Sequence, residues 1–374
     1  MQQATKTSSS LSDVVVVGGG LVGLAVGVGL ARQGLTVRVL DEGDLAIRAS
    51  RGNFGLVWVQ GKGDNLPQYA TISRRSAARW PRFAEELRES TGIDLQLEQR
   101  GGLYLCQTQQ ELQARHAMLR RMREDAEGDY PFEVLDLQQA RDFIPELGDQ
   151  TAGATWCPED GHVNPLRLLR ALMQRFIDLG GKLETGGRVE RIDHRDGAFR
   201  LQTAYGRYSA AKVVLAAGLG NRDLAPQVGL TAPVSPNRGQ VLIAERVRPF
   251  LRYPTGHVRQ TGEGTIQIGD SKEDVGFDTA TTNDVMAHIA ARALRFFPLL
   301  RDVQLIRAWS ALRVMTPDGY PLYEASTSHP GAYLVTCHSG VTLAAFHEGP
   351  LADWIGGAPT DQPLEVFRAQ RLAL

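Results

Sequence analysis

Val14-Val15-Val16-Val17-Gly18-Gly19-Gly20-Leu21-Val22-Gly23 is the stretch whose reading decides the fold. Four consecutive β-branched residues suit a strand buried on both faces. The glycines then supply a turn. An apolar helical run continues to Gln33, and Gly34 is placed to end it. Thr36-Val37-Arg38-Val39-Leu40 reads as a second strand that closes at Asp41. Together these segments make a βαβ unit of about thirty residues, the size the motif requires.

Within this unit Gly18-x-Gly20-x-x-Gly23 has a mechanical reason at each position. Gly18 permits the tight turn off the strand, Gly20 lets a pyrophosphate approach the backbone, and Gly23 lets the helix pack closely on the sheet. The helix start, at Gly20, Leu21, Val22 and Gly23, offers N–H groups and partial positive charge to phosphates. An acid about twenty positions further on would accept hydrogen bonds from the ribose hydroxyls. The strand spacing favours Asp41 for this role, with Glu42 as the alternative register. The motif alone does not separate FAD from NAD.

Outward from this unit, Gln68–Ser90 reads as a helix that Pro81 kinks or breaks, and Glu111–Glu127 as a second. Asn164-Pro165 is a cap and first-turn proline opening a helix with Leu168, Leu169, Leu172, Met173, Phe176 and Leu179 on its apolar face. Asp196-Gly197 between Val189–Asp193 and Phe199–Thr203 signals a two-residue hairpin. Val213–Gly218 is another buried strand ending in glycine, Thr282–Phe297 a helix, Ala332–Thr336 a last strand and Leu343–Ile355 a last helix. Nucleotide-domain signals at both ends and in the middle imply a nucleotide-binding domain made of several chain segments.

The chain of 374 residues carries 41 basic and 42 acidic side chains, so no basic surplus supports a nucleic-acid partner. Val14–Ala31 is apolar, but six glycines interrupt it, and no transmembrane segment is expected. Cys106, Cys157 and Cys337 form no C-x-x-C pair and cannot supply a four-thiolate cluster; reduced thiols and a cytoplasmic location are expected. The polar start Met1–Ser12 lacks the features of a secretory signal and is expected to fray. No metal pattern is present among the scattered histidines.

Taken in order, the opening βαβ, Gly161-His162-Val163-Asn164-Pro165, Val213–Gly218, Trp309–Pro321 and His338–Thr342 resemble the D-amino acid oxidase superfamily, the FAD-dependent amine oxidoreductases that include glycine and sarcosine oxidases. Two runs, Arg51–Gly63 (RGNFGLVWVQGKG) and Cys337–Leu343 (CHSGVTL), are similar to the β subunits of opine oxidase, D-hydroxyproline dehydrogenase and hydrogen cyanide synthase. The resemblance implies an α/β fold of mixed character: a Rossmann-like FAD-binding domain with an inserted antiparallel-sheet substrate domain. The expected division is 1–85, 155–232 and 314–374 for the FAD domain, and 86–154 and 233–313 for the substrate domain.

It also implies residue roles. Arg313 would hold the substrate carboxylate, as a guanidinium can with two parallel hydrogen bonds; the bland alternative is an Arg in a surface ion pair. Ala311 stands where sarcosine oxidases carry a flavin-linked Cys, so FAD is expected to bind without a covalent link. Ser339, Gly340, Val341 and Thr342 would pass the pyrimidine end of the flavin, mostly through backbone N–H groups, with His338 either an acid–base group or an ordinary loop residue. Ser50, Arg51, Gly52 and Asn53 would touch FAD, as would Val189, Ala217 and Gly218. Phe54 and Trp58 either line the pocket or pack in the core, and Tyr253, His257 and Arg259 are pocket candidates.

The implied activity is oxidation of a small amine or amino acid: a D-amino acid, D-hydroxyproline, opine or glycine. The flavin chain is expected to sit in a complex, passing electrons to partner subunits and at most peripheral to a membrane through them. The rivals are a stand-alone oxidase using O2, a flavin-bearing structural subunit, and an NAD-linked dehydrogenase; the single fingerprint disfavours the last.

Overall fold

The computed structural model describes residues 11–43 and 48–372 and the backbone of 6–7. Most of the polar start lies outside the described residues.

The four valines sit in the strand Ser12–Val17, which leads into the helix Leu21–Arg32 and then the strand Val37–Leu40. The two strands pair in parallel, Val14 with Val37 through Val17 with Leu40. Gly206–Leu215 lies parallel on the other side of Ser12–Val17, and Ala332–Thr336 lies parallel beyond that. Lys182–Glu184 flanks Val37–Leu40. The helices Leu21–Arg32 and Pro165–Asp178 cover one face over Val14 and Val16, while Val15 and Val17 pack against Ile192, Phe199 and Leu201 on the other. Val14, Val15 and Val16 are 0% exposed, so the β-branched run fills a doubly covered strand. Asp196 and Gly197, at φ 55° and 73°, form the turn between the antiparallel strands Val189–Arg195 and Ala198–Thr203. This left-handed pair matches the twist a tight hairpin needs.

A second region is antiparallel. Its four-stranded sheet runs Val258–Gln260, Thr265–Ile268, Ser235–Arg246, Leu305–Met315. A three-stranded sheet of Gly102–Cys106, Gly153–Cys157 and Glu133–Asp136 shares one core with it and with the helix Asn283–Phe296, through Leu103, Leu105, Leu242, Ile266 and Phe296. The fold is thus mixed α/β, a Rossmann-like parallel sheet beside antiparallel sheets. A discontinuous two-domain division remains our proposal. The proposed borders at 85/86, 154/155 and 313/314 lie within the continuous elements Pro67–Thr91, Gly153–Cys157 and Leu305–Met315.

Of the two alternatives at Pro81, kink or break, the break does not occur: one helix spans Pro67–Thr91. Proline removes the bond to the carbonyl four residues back, here Ala77. Gln99 supplies the missing donor, its Nε2 reaching Ala77 O at 3.0 Å. Gln99→Leu is expected to destabilise the protein by about 1–3 kcal/mol. In a Pro81→Ala background the same change should cost less, which a double-mutant cycle in urea would read as a coupling energy. Equal costs in both backgrounds would contradict this account. The last helix also departs from regularity. It runs from Ala344 to Gly356 with a wider turn at His347–Leu351, which accommodates Pro350.

Candidate active site

At the glycine turn the structure supplies the space that the sequence implies. Gly18 has φ 109°, and a Cβ there would lie 2.3 Å from Ala216 O. A Cβ on Gly23 would lie 1.9 Å from Gly18 O. Gly20 caps the helix and offers no side chain of its own. Ser50 stands over this helix start, its Oγ accepting from Leu21 N at 3.0 Å. The Asp41 carboxylate accepts from Gly19 N at 2.7 Å and Gly43 N at 3.0 Å. Glu42 instead pairs with Arg48. The chain around Gly187 runs beside Asp41, with Gly187 N donating to Asp41 O at 3.2 Å, and Val189 opens the next strand. Ala217 N donates to Asn221 Oδ1, and Gly218, at φ 58°, lies against Val314.

A second set of expected flavin contacts lies in the loop before the last helix. Gly340 lies against Leu21 and Val22, which brings this loop to the start of the first helix. Ser339 Oγ bonds both Lys62 Nζ and Tyr69 OH. Val341 is buried in the core. Thr342 is fully engaged: its carbonyl accepts from Ser76 Oγ and Trp80 Nε1, and its Oγ1 accepts from Trp58 N. His338 is exposed, yet burial of its surroundings and the nearby charges of Lys62, Arg313 and Lys272 hold its pKa down at about 3.

Arg313 lies on the strand Leu305–Met315 with its side chain 16% exposed. Nη1 donates to Asn237 Oδ1 at 3.1 Å and Nη2 to Asp270 Oδ2 at 2.5 Å. The ion pair is thus partly buried, with the Asp270 side chain 33% exposed. A Cβ at Gly239 would come within 2.3 Å of Arg313 Nη2, so the glycine leaves room for the guanidinium. Trp309 Nε1 donates to Gly52 O at 3.4 Å, so the Arg313 strand runs beside the loop holding Ser50–Asn53. Asn53 Oδ1 accepts from Gly55 N and turns that loop.

The other pocket candidates have neighbours of their own. Trp58 is 9% exposed, and its ring fills the space over Gly102, which is the core alternative. Tyr253 packs edge-on against Phe143, with centroids 5.5 Å apart. Arg259 is buried rather than solvated, donating to Gln267 Oε1 at 2.8 Å, with His162 Nδ1 at 3.1 Å and Phe54 beneath it. His257 lies edge-on to Tyr104 and parallel to Phe296; burial and the Arg292 and Arg115 charges hold its pKa down at about 3.

The sequence reading gave no role to Asn237, Asp270, Arg292 or Lys62. Lys62 is partly buried, with its Nζ on Ser339 Oγ. Burial lowers its pKa from 10.5 to about 8. Between those values the unfolded chain holds the Lys62 proton and the folded chain has released it. Stability contributed by this group therefore rises with pH across that window, and below about 8 the cost of the buried charge is present in full. Relative to Lys62→Met, the native protein should gain stability as urea unfolding is repeated from pH 8 to 10.5. Parallel profiles would contradict a buried, depressed Lys62.

Among the described residues, no group of three or more His, Cys, Asp or Glu side chains could hold a metal, and no helix is long and apolar enough to cross a membrane. The three cysteines are buried and free.

A strand-turn-helix cradle beside a strand that carries a partly buried arginine fits a dinucleotide-dependent oxidoreductase. The family model described as FAD dependent oxidoreductase matches residues 13–347, and the chain belongs to that family. It is 42% identical over 360 residues to an opine oxidase subunit of Agrobacterium tumefaciens (strain Ach5), covering 96% of this chain and 97% of that one. The corresponding opine oxidase subunit of Rhizobium meliloti is 41% identical over the same coverage. The crystal structure of glycine oxidase from Geobacillus kaustophilus superposes with a TM-score of 0.89 at 26% identity, covering 96% of this chain and 98% of that one.

The residues present fit FAD. The Gly18–Gly23 cradle excludes side chains where a diphosphate would approach, and the Leu21–Arg32 helix directs its N-terminal dipole there. Asp41 stands at the end of the second strand, at the position of the ribose-binding acid.

Proposed function

We propose that this protein oxidises the C–N bond of a small amine or amino acid and works as the dehydrogenase subunit of a complex. When bound, FAD supplies a two-electron acceptor at N5. Arg313 fixes the substrate by its carboxylate and so orients the Cα–H. The substrate amine is neutral when it reacts, loses a hydride from the adjacent carbon and a proton from nitrogen, and leaves as an imine that water hydrolyses. The chain's contribution is orientation and fixed charge.

In this reading the cofactor contacts are Gly18, Gly20, Leu21, Val22, Gly23, Asp41, Ser50, Arg51, Gly52, Asn53, Val189, Ala217, Gly218 and the backbone of Ser339–Thr342, with Glu42 as the neighbouring acid. Ala311 has no nucleophile, and FAD is held without a covalent bond. The carrying observation is the partly buried guanidinium of Arg313, on a strand tied to the Ser50–Asn53 loop. Support for a complex comes from the relatives at 41–42% identity, which are named as subunits.

Anaerobic mixing with glycine, sarcosine, D-amino acids, cis-4-hydroxy-D-proline and opines tests the reading. At least one should bleach the flavin spectrum. No bleaching by any of them would favour a flavin-bearing structural subunit. The likeness to glycine oxidase favours a second reading, a stand-alone oxidase. Stoichiometric peroxide from the isolated chain would support it over a dehydrogenase.

A further inference from the structure

One edge of the antiparallel region is left open. In its four-stranded sheet Leu305–Met315 is the last strand: Ser235–Arg246 pairs with one side of it, and no described strand pairs with the other. At the start of that strand Leu305 is 52% exposed and Ile306 62%. Successive side chains of a strand point to opposite faces, so here both faces meet solvent together with the edge. Leu294 and Leu299, in the segment leading in, are exposed as well. An edge with unpaired N–H and C=O groups beside apolar side chains is a template for another strand, and proteins ordinarily cover or blunt it.

The charge around this edge has one dominant sign. Residues 245–250 lie alongside: Glu245 N donates to Gln304 O at 2.9 Å, and the Phe250 and Phe297 rings meet with centroids 5.7 Å apart. Across 245–250 and 294–307 the exposed cations are Arg246, Arg248, Arg295, Arg301 and Arg307. None of these five forms a salt bridge with a described acid. The acids of the same stretches are Glu245, whose Oε1 accepts from Gln304 N at 2.9 Å, and Asp302. Glu263 and Asp149, on neighbouring turns, are taken up by Arg167 and Arg141. Basic and acidic residues balance over the whole chain, 41 to 42, so the surplus is local.

We propose that this edge is the docking site for a partner chain, which adds an acidic, extended segment as a further strand beside residues 305–307. The open backbone supplies the hydrogen bonds, Leu305 and Ile306 the apolar contacts, and the arginines meet the carboxylates of the incoming strand. A second copy of this chain would bring the same five cations against them and be repelled. Anionic lipid headgroups would match the charge, but hydrocarbon cannot satisfy an open strand edge. This inference rests on the reading of the chain as one subunit of a complex, and it locates the contact.

The probe is a fluorescein-labelled peptide that alternates glutamate with valine and threonine, read by fluorescence anisotropy against the FAD-loaded full chain. It should bind at least about tenfold tighter than a peptide with lysine in place of glutamate. The same margin of about tenfold should separate it from a twin with alternate backbone amides N-methylated, which keeps the charge and loses the strand bonds. Arg246→Glu combined with Arg301→Glu should weaken binding about tenfold, and Ile306→Asn about fivefold. Both variants should keep the native melting temperature and flavin reduction, since all three side chains lie on the surface. Equal binding of the N-methylated twin, or an unchanged affinity in either variant, overturns strand addition at this edge. Phosphatidylglycerol vesicles bound in place of the peptide, and released by the double charge reversal, overturn it too and assign the patch to a membrane. The subunit reading fails by a different measurement: stoichiometric peroxide from the isolated chain contradicts it whatever the peptide does.

Discussion

Arg313→Ala is expected to slow anaerobic flavin reduction by roughly thirty- to several-thousand-fold while FAD stays bound, because deleting one partner of a buried charge pair costs about 2–5 kcal/mol and each 1.4 kcal/mol is tenfold. The size follows from where the guanidinium lies. At 16% exposure, with Asn237 and Asp270 fixing its two Nη atoms, it is already oriented before substrate arrives. A carboxylate then gains two parallel hydrogen bonds without ordering a flexible side chain. Arg313→Lys offers a point charge in place of a planar fork and should recover only part of the rate. Stopped-flow reduction measures both variants. Kinetics like those of the native protein would take Arg313 out of the site.

The second large effect is at Gly20. A valine there points its Cβ toward Ser50 Oγ, 2.8 Å away, and that hydroxyl can swing aside. The fold should therefore survive, but the new side chain occupies the diphosphate's approach. FAD affinity is expected to fall at least about 100-fold, or ~2.7 kcal/mol. Gly23→Ala is a different case, because its Cβ would lie 1.9 Å from the Gly18 carbonyl and no side-chain movement relieves that contact. It should lower the melting temperature as well as flavin content. Equilibrium dialysis with FAD and thermal unfolding separate the two outcomes. A Gly20→Val protein that binds flavin normally would contradict the cradle.

The parts of the fold that were legible share one property: their causes are local. Four valines and a glycine turn define the first βαβ, Asn164 caps the next helix by accepting from Leu166 N and Arg167 N, and Asp196-Gly197 turns the hairpin. Pro81 shows the limit of a local rule, because Gln99 repairs the lost bond from another segment. The site divides in the same way. Arg313 was proposed from its neighbours in sequence, which resemble those of a known family. Asp270 lies 43 residues away from it and Ser339 lies 277 from Lys62, so only the folded sheets bring those groups together. Trp58 and Tyr253 were ambiguous for a related reason, since an aromatic side chain serves a core and a pocket equally well until its neighbours are known.

The most direct measurement is the flavin content of the purified protein after acid denaturation. One FAD per chain, released into the supernatant and absent from the precipitate, is the result the account predicts. A colourless protein that cannot be reconstituted with FAD would contradict it.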